Sequence, residues 1–185
     1  MDNPYEGLQS FVDQLPDLVQ PLVVAVLGMI PYVEGEGSAA LGIIAGVNPI
    51  VAAVAGAAGN ILSVIIVVAL SSRVRERVVA RRTATVGAPG TTAVDTQVEQ
   101  ADAPAEKENR RSKGRRRLGA MLVRFGVPGA SILAPLVLPT QLTAAFFVAS
   151  GVRKGWVILW QVVAIVLWTS LIAAGALGLI NALGW

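Results

Sequence analysis

The chain has 185 residues, a mean hydropathy of +0.64 and only 15% charged residues, where a soluble domain carries about 25%. Gly37–Ser72, Phe125–Val152 and Gly155–Trp185 hold no charge at all. Uncharged apolar runs of ~18 or more residues read as membrane-spanning, so an ordinary water-soluble domain is excluded. Cysteine and histidine are both absent, which excludes disulfides, Cys or His metal sites, and thiol or imidazole catalysis.

In chain order, residues 1–17 come first. They hold Asp2, Glu6, Asp13 and Asp17 and no Lys or Arg, the reverse of the basic start of a signal peptide. They are read as an extracytoplasmic segment. Residues 18–47 follow as two apolar arms, Leu18–Val33 and Ser38–Val47, separated by "EGEG" at Glu34–Gly37. The second arm is ~15 Å of helix, about half the hydrocarbon thickness of a bilayer. That length predicts a re-entrant hairpin with its tip deep in the apolar layer. Gly35 and Gly37 are the expected hinge residues there, since glycine permits positive φ and close backbone approach.

A first transmembrane helix is expected over residues 49–71. It carries Asn60 as its deep polar group, a candidate for substrate binding or for a plain interhelix hydrogen bond. Ala52, Gly56 and Asn60, with Ala55, Gly59 and Ser63 beside them, form a small-residue face suited to close helix contact. Residues 73–117 read as a disordered linker with basic ends: Arg73, Arg75 and Arg77 open it, and Arg115, Arg116 and Arg117 close it. Basic ends can bind nucleic acid, but no aromatic residues interleave with them and they flank spans. Topology and attraction to anionic lipid account for them.

The second hairpin is expected over residues 118–152, with its break at "PTQ", Pro139-Thr140-Gln141. Pro139 is the hinge there, and Thr140 and Gln141 are candidate binding residues. Arg124, six residues into this hairpin, either pairs with Glu34 or Glu36 or snorkels to headgroups. A second transmembrane helix follows over residues 155–180, with Trp156, Trp160 and Trp185 as interface anchors.

The two halves resemble each other. "SAALGIIAGV" (Ser38–Val47) and "TAAFFVASGV" (Thr143–Val152) align at a constant offset, with Ala39, Ala40, Gly46 and Val47 recurring as Ala144, Ala145, Gly151 and Val152. Every Lys and Arg lies between Arg73 and Lys154. The positive-inside rule therefore puts the linker and the Arg153-Lys154 break in the cytoplasm, and Asn48 and both termini outside. The same unit then sits in opposite orientations, an inverted-topology repeat of the kind found in secondary transporters. The expected fold is an all-α integral membrane protein built from two copies of a re-entrant helical hairpin plus a transmembrane helix.

Glu34 and Glu36 are the only acids embedded in apolar sequence. A charged side chain in hydrocarbon costs at least ~2.5–3.5 kcal/mol, and a carboxyl kept there beside a second one is a candidate proton carrier. Alternatively the pair marks a loop at the outer surface. A phosphate-binding loop, a nucleophile elbow and a carboxylate metal cluster are all absent from the sequence, so neither an enzyme, a cofactor nor a metal is expected.

The quoted residues resemble the small multidrug export family of prokaryotes, itself similar to the DedA, or VTT, membrane proteins. The resemblance rests on "EGEGSAALGIIAG", "AGN" at Ala58–Asn60, "RFGVPGASILAPLVLP", "SGVRKGWVILWQ" and Leu167-Trp168. Ala39-Ala40 and Ala130 stand where relatives carry a proline and a second arginine. The resemblance implies export of small toxic compounds; joined to the embedded acid pair, the expectation is a multi-pass plasma-membrane exporter of small, toxic or cationic compounds with proton coupling through Glu34 and Glu36. Its DedA side implies an alternative, movement of phospholipid or polyprenyl-phosphate headgroups. A non-transporting assembly protein is the third reading. Expected partners are lipids, a small-molecule or lipid substrate, protons and, as an open option, a second copy.

Overall fold

The structure is a computed structural model that describes residues 10, 14–16, 18–86 and 125–184. Arg124, Trp185, residues 87–117 of the linker and most of residues 1–17 lie outside the described residues. All regular structure among the described residues is helical. The elements are α1 (Val19–Gly28), α2 (Glu34–Ile44), α3 (Pro49–Val86), α4 (Phe125–Leu136, ending in a 3-10 turn at Ala134–Leu136), α5 (Thr140–Ala149) and α6 (Lys154–Leu183).

Helices α3 and α6 are the frame. With 38 and 30 residues they measure about 57 and 45 Å at about 1.5 Å per residue. Pro49–Val78 and Lys154–Leu183 are each long and apolar enough to cross a membrane. The two run antiparallel. Lys154 Nζ, at the start of α6, lies 3.7 Å from Glu76 Oε1 near the far end of α3. Ala173 and Ile180, late in α6, pack with Ala45 and Val47, just before α3, and with Ala52 at its start. Large apolar side chains such as Ile50, Val54, Leu62, Leu171 and Leu179 stand exposed along both.

The two short helices α2 and α5 start beside Asn60, near the middle of the apolar span of α3, and run in opposite directions along the frame. Ile43 and Ala45, at the end of α2, join the cluster at Ala52 and Ala173. Phe147 and Val148, at the end of α5, join Val64, Val68 and Val157 at the other end. Both helices stop in the same way. Gly46 has φ 91° and Gly151 has φ 94°. Val47 N–H donates to Gly42 O at 2.9 Å and Gly46 N–H to Ile43 O at 3.1 Å. Val152 donates to Phe147 O and Gly151 to Val148 O, both at 3.0 Å. Each is a Schellman cap, for which a left-handed residue is required.

Alanine at Gly46 is therefore expected to cost about 1–2 kcal/mol of stability, from left-handed strain alone, because nothing stands near its new methyl group. Alanine at Gly151 should cost more, since the methyl group would also lie 3.2 Å from Arg75 Nη2. Thermal unfolding in detergent reads the order, with Gly155→Ala as a helical control near wild type.

Four sequence boundaries are corrected. First, the turn of the first hairpin is residues 29–33, and "EGEG" is the first turn of α2. Proline at 31 stops the chain continuing as helix, and the helix dipole favours Glu34 and Glu36 in a first turn. Gly35 and Gly37 are thus helical. The left-handed residues are Tyr32 (φ 73°) and Glu34 (φ 53°). Second, the second break is residues 137–139, with Pro139 as N-cap and Thr140 and Gln141 already in α5. Third, α3 continues past residue 71 to Val86, so residues 73–86 are helix and not linker. No Gly or Pro stands between Asn60 and Gly87, and the Arg- and Ala-rich sequence favours helix. Fourth, α6 spans Lys154–Leu183, slightly longer at each end than expected.

Candidate functional site

Where α2 and α5 begin, their first turns meet each other against α3 at Asn60, near the middle of its apolar span. Neither helix has a side-chain cap of its own: Val33 and Pro139 are the N-caps, and neither side chain hydrogen bonds there. The first N–H groups of a helix need acceptors. Glu34 supplies one across the chain. Its Oε1 accepts the Thr140 backbone N–H at 2.5 Å and stands 2.9 Å from Thr140 Oγ1. The first residue of α2 therefore caps α5.

The contact continues into α3. Thr140 Oγ1 is also 3.0 Å from Asn60 Oδ1. Gln141 Nε2 donates to Asn60 Oδ1 at 3.2 Å and to Ser63 Oγ at 3.0 Å. Ser63 Oγ in turn donates to the Asn60 carbonyl oxygen at 2.8 Å. Glu34, Asn60, Ser63, Thr140 and Gln141 are all buried. The Thr140 hydroxyl has one hydrogen and two acceptors in reach. It serves Glu34 or Asn60, and it serves Asn60 freely only when Glu34 brings a proton of its own.

Glu36 stands apart from this network. Both its carboxylate oxygens are buried and accept no hydrogen bond from a described group. Gly35 lies between the two acids, and a methyl group on it would be 2.5 Å from Thr169 Oγ1 of α6. That hydroxyl is itself buried without a partner, as are Asn60 Nδ2, Gln141 Oε1 and both polar atoms of Gln161. Such groups cost roughly 1–3 kcal/mol each unless a proton, water or ligand satisfies them.

The structure thus brings together Glu34, Asn60, Thr140 and Gln141, and places Glu36 one turn-step away on α2. Gly35 is a contact surface for α3 and α6, Gly37 is an ordinary helical residue, and Pro139 sits in the turn before α5. Arg124 is outside the described residues. Sequence reasoning missed Ser63 as a network member and Gln161 and Thr169 altogether. The signal was available: Val157, Gln161, Ile165, Thr169 and Ala173 are four apart and form the buried stripe of α6. Two of these five are polar in a helix otherwise rich in Leu, Ile and Val.

Compared with family models, curated proteins and solved structures, the chain finds no match.

Proposed function

We propose that this protein is a multi-pass membrane transporter of a prokaryotic plasma membrane, built as an inverted repeat, that exports small compounds in exchange for protons. The observation that carries the reading is the meeting of two broken hairpins, first turn to first turn, at a buried carboxylate–hydroxyl–amide network near the middle of the apolar span of α3. Secondary transporters bind substrate and coupling ion at such a place, where half-helices meet between repeats. The apolar sheath of α3 and α6 and the confinement of all Lys and Arg to residues 73–154 support the membrane setting and its topology. In this reading the basic end of α3 faces the cytoplasm and both termini face outside.

The test is reconstitution into proteoliposomes. Efflux of fluorescent lipophilic cations is expected only with a proton gradient, and is expected to vanish in the double variant Glu34→Gln/Glu36→Gln. Full gradient-driven transport in that variant overturns the assignment. Movement of phospholipid headgroups is the second reading. It is favoured by an apolar groove of about 330 Å³ between α2 and α6, lined by Ala40, Ile44, Leu171, Gly175 and Leu179 among others, that suits an acyl chain. Headgroup flipping above background, without cation efflux, selects that reading.

A further inference from the structure

Buried polar side chains are distributed unevenly along the frame. Toward the Ala52 end of α3 the interior is apolar: Val24, Ala39, Ile43, Ala52 and Ala173 fill it. Among the described residues, the last buried polar side chain in that direction is Ser38, whose hydroxyl donates to Gly35 O at 3.2 Å.

Toward the Glu76–Lys154 end the interior is different. Gln161 is fully buried between Val157 and Ile165 on the inner stripe of α6. Thr169, eight residues along the same stripe, lies beside Gly35 at the level of the Glu34 network. Gln161 is therefore about 12 Å from that level, toward Lys154. Ser131 is fully buried on α4, between Ala130 and Ala134 of the apolar cluster that also holds Val157 and Ile165. It adjoins Ile132, whose carbonyl oxygen accepts the Trp168 indole N–H at 2.9 Å. Trp160 packs on the same cluster. Gln161 Nε2 and Oε1, Ser131 Oγ and Trp160 Nε1 are all buried, and none has a hydrogen-bond partner among the described residues. On α3, Ser63 and Ser72 are the buried hydroxyls of this side.

The two halves of the sequence differ at matching places. At the offset that relates Ser38–Val47 to Thr143–Val152, Gly56 corresponds to Gln161 and Val26 to Ser131. Gly56 closes its half backbone on backbone: a methyl group there would lie 2.8 Å from Gly35 O, and one on Gly28 would lie 2.5 Å from Gly56 O. The second half puts a long amide where the first has no side chain. Gln161, Ser131 and Trp160 together offer two kinds of N–H donor, a carbonyl acceptor and a hydroxyl that does both. Buried water takes about 2–4 such partners, whereas apolar interiors stay dry.

We infer that the interior is hydrated from the Glu76–Lys154 end as far as the Glu34–Thr140 network, with water held by Gln161, Ser131 and the Trp160 N–H, and is sealed and dry from Gly56 to the Ala52 end. In the transport reading the hydrated half faces the cytoplasm, and it is the route by which protons and water reach the network in this conformation. Gln161 is then a positioning residue for that water. The inference rests on the transport reading for its purpose but not for its test.

The test uses the full-length protein in detergent. The chain has no cysteine, so one introduced thiol gives an infrared S–H band of its own, and D2O converts it to S–D once water reaches it. The four positions compared are all buried, Ser131 and Gln161 on one side of the network, Val24 and Ile43 on the other. Burial alone predicts equally slow exchange at all four. Exchange at Ser131→Cys and Gln161→Cys is expected to be roughly tenfold faster, or more, than at Val24→Cys and Ile43→Cys, where it awaits local opening of the fold. Gln161→Cys, Val24→Cys and Ile43→Cys all shrink the side chain, so none overpacks the interior. Adding Gln161→Leu to Ser131→Cys keeps the bulk and removes the amide. Exchange there should slow to the rate of the apolar end, and the thermal midpoint should not fall, because a buried amide has been removed. Equal rates at the four positions, faster exchange at Val24→Cys or Ile43→Cys, or fast exchange at Ser131→Cys that survives Gln161→Leu overturns the proposal. Exchange needs neither transport nor a known orientation in the membrane. A protein that exchanges as described but moves nothing in liposomes leaves the hydrated half standing and removes only the transport reading.

Discussion

Glu34→Leu is expected to destabilise the protein by about 1–3 kcal/mol, because it strands the buried N–H of Thr140 without an acceptor. The Thr140 hydroxyl can turn to Asn60, so the loss concentrates on the backbone group. Glu34→Gln should stay near wild type, since its amide oxygen reaches the same N–H. Glu34→Gly separates two effects. It removes the acceptor but relieves the left-handed backbone at φ 53°, which costs a non-glycine residue about 1–2 kcal/mol. The expected order of stability is Gln, then Gly, then Leu. Thermal unfolding in detergent reads it, at roughly 2–4 °C per kcal/mol for a chain of this size. Leucine as stable as glutamine would show that Glu34 does not cap α5.

Gly59→Val is expected to undock α1 from α3. A side chain on Gly59 would run into the Ala25 carbonyl oxygen, which is backbone and has no rotamer to yield. One turn along α3, the helices are equally close: a methyl group on Gly28 would lie 2.5 Å from Gly56 O. Separating the helices would also disturb α2, because Gly56 sits under Gly35 and Ser38. Overpacking of a tight contact costs typically about 1–3 kcal/mol, and a rigid backbone contact puts this site at the upper end. Limited proteolysis near residues 29–33 should accelerate in the variant. An unchanged digestion pattern and midpoint would mean that α1 contributes little to the fold.

The chain's apolar blocks, its charge distribution and the correspondence of Ser38–Val47 with Thr143–Val152 are legible in the sequence alone. Each is a property of single residues or of local spacing. All-helical structure and two long apolar helices follow from them, and the structure has both. The Gly46 and Gly151 caps are legible as a recurring "GV", although only backbone angles reveal that each glycine is left-handed. The helical run to Val86 is legible too, in the absence of Gly and Pro after Asn60, but the clustered arginines draw attention to charge instead.

The turn of the first hairpin is not legible. Two glycines beside two acids look like a break, yet a first helical turn tolerates both, and the decision falls to Pro31 and to the space that α3 and α6 leave for Gly35. The site is legible only as an inventory: Glu34, Glu36, Asn60, Thr140 and Gln141 are among the polar residues of apolar stretches. Which of them touch is a matter of separations such as the 106 residues between Glu34 and Thr140, and no local pattern encodes it. The same holds for the division between the two acids. In sequence they are equivalent, two residues apart. In the fold, the helical rotation between them turns one onto the N-terminus of α5 and leaves the other without a side-chain or cross-helix donor among the described residues, and the difference comes from which helix stands opposite each carboxylate.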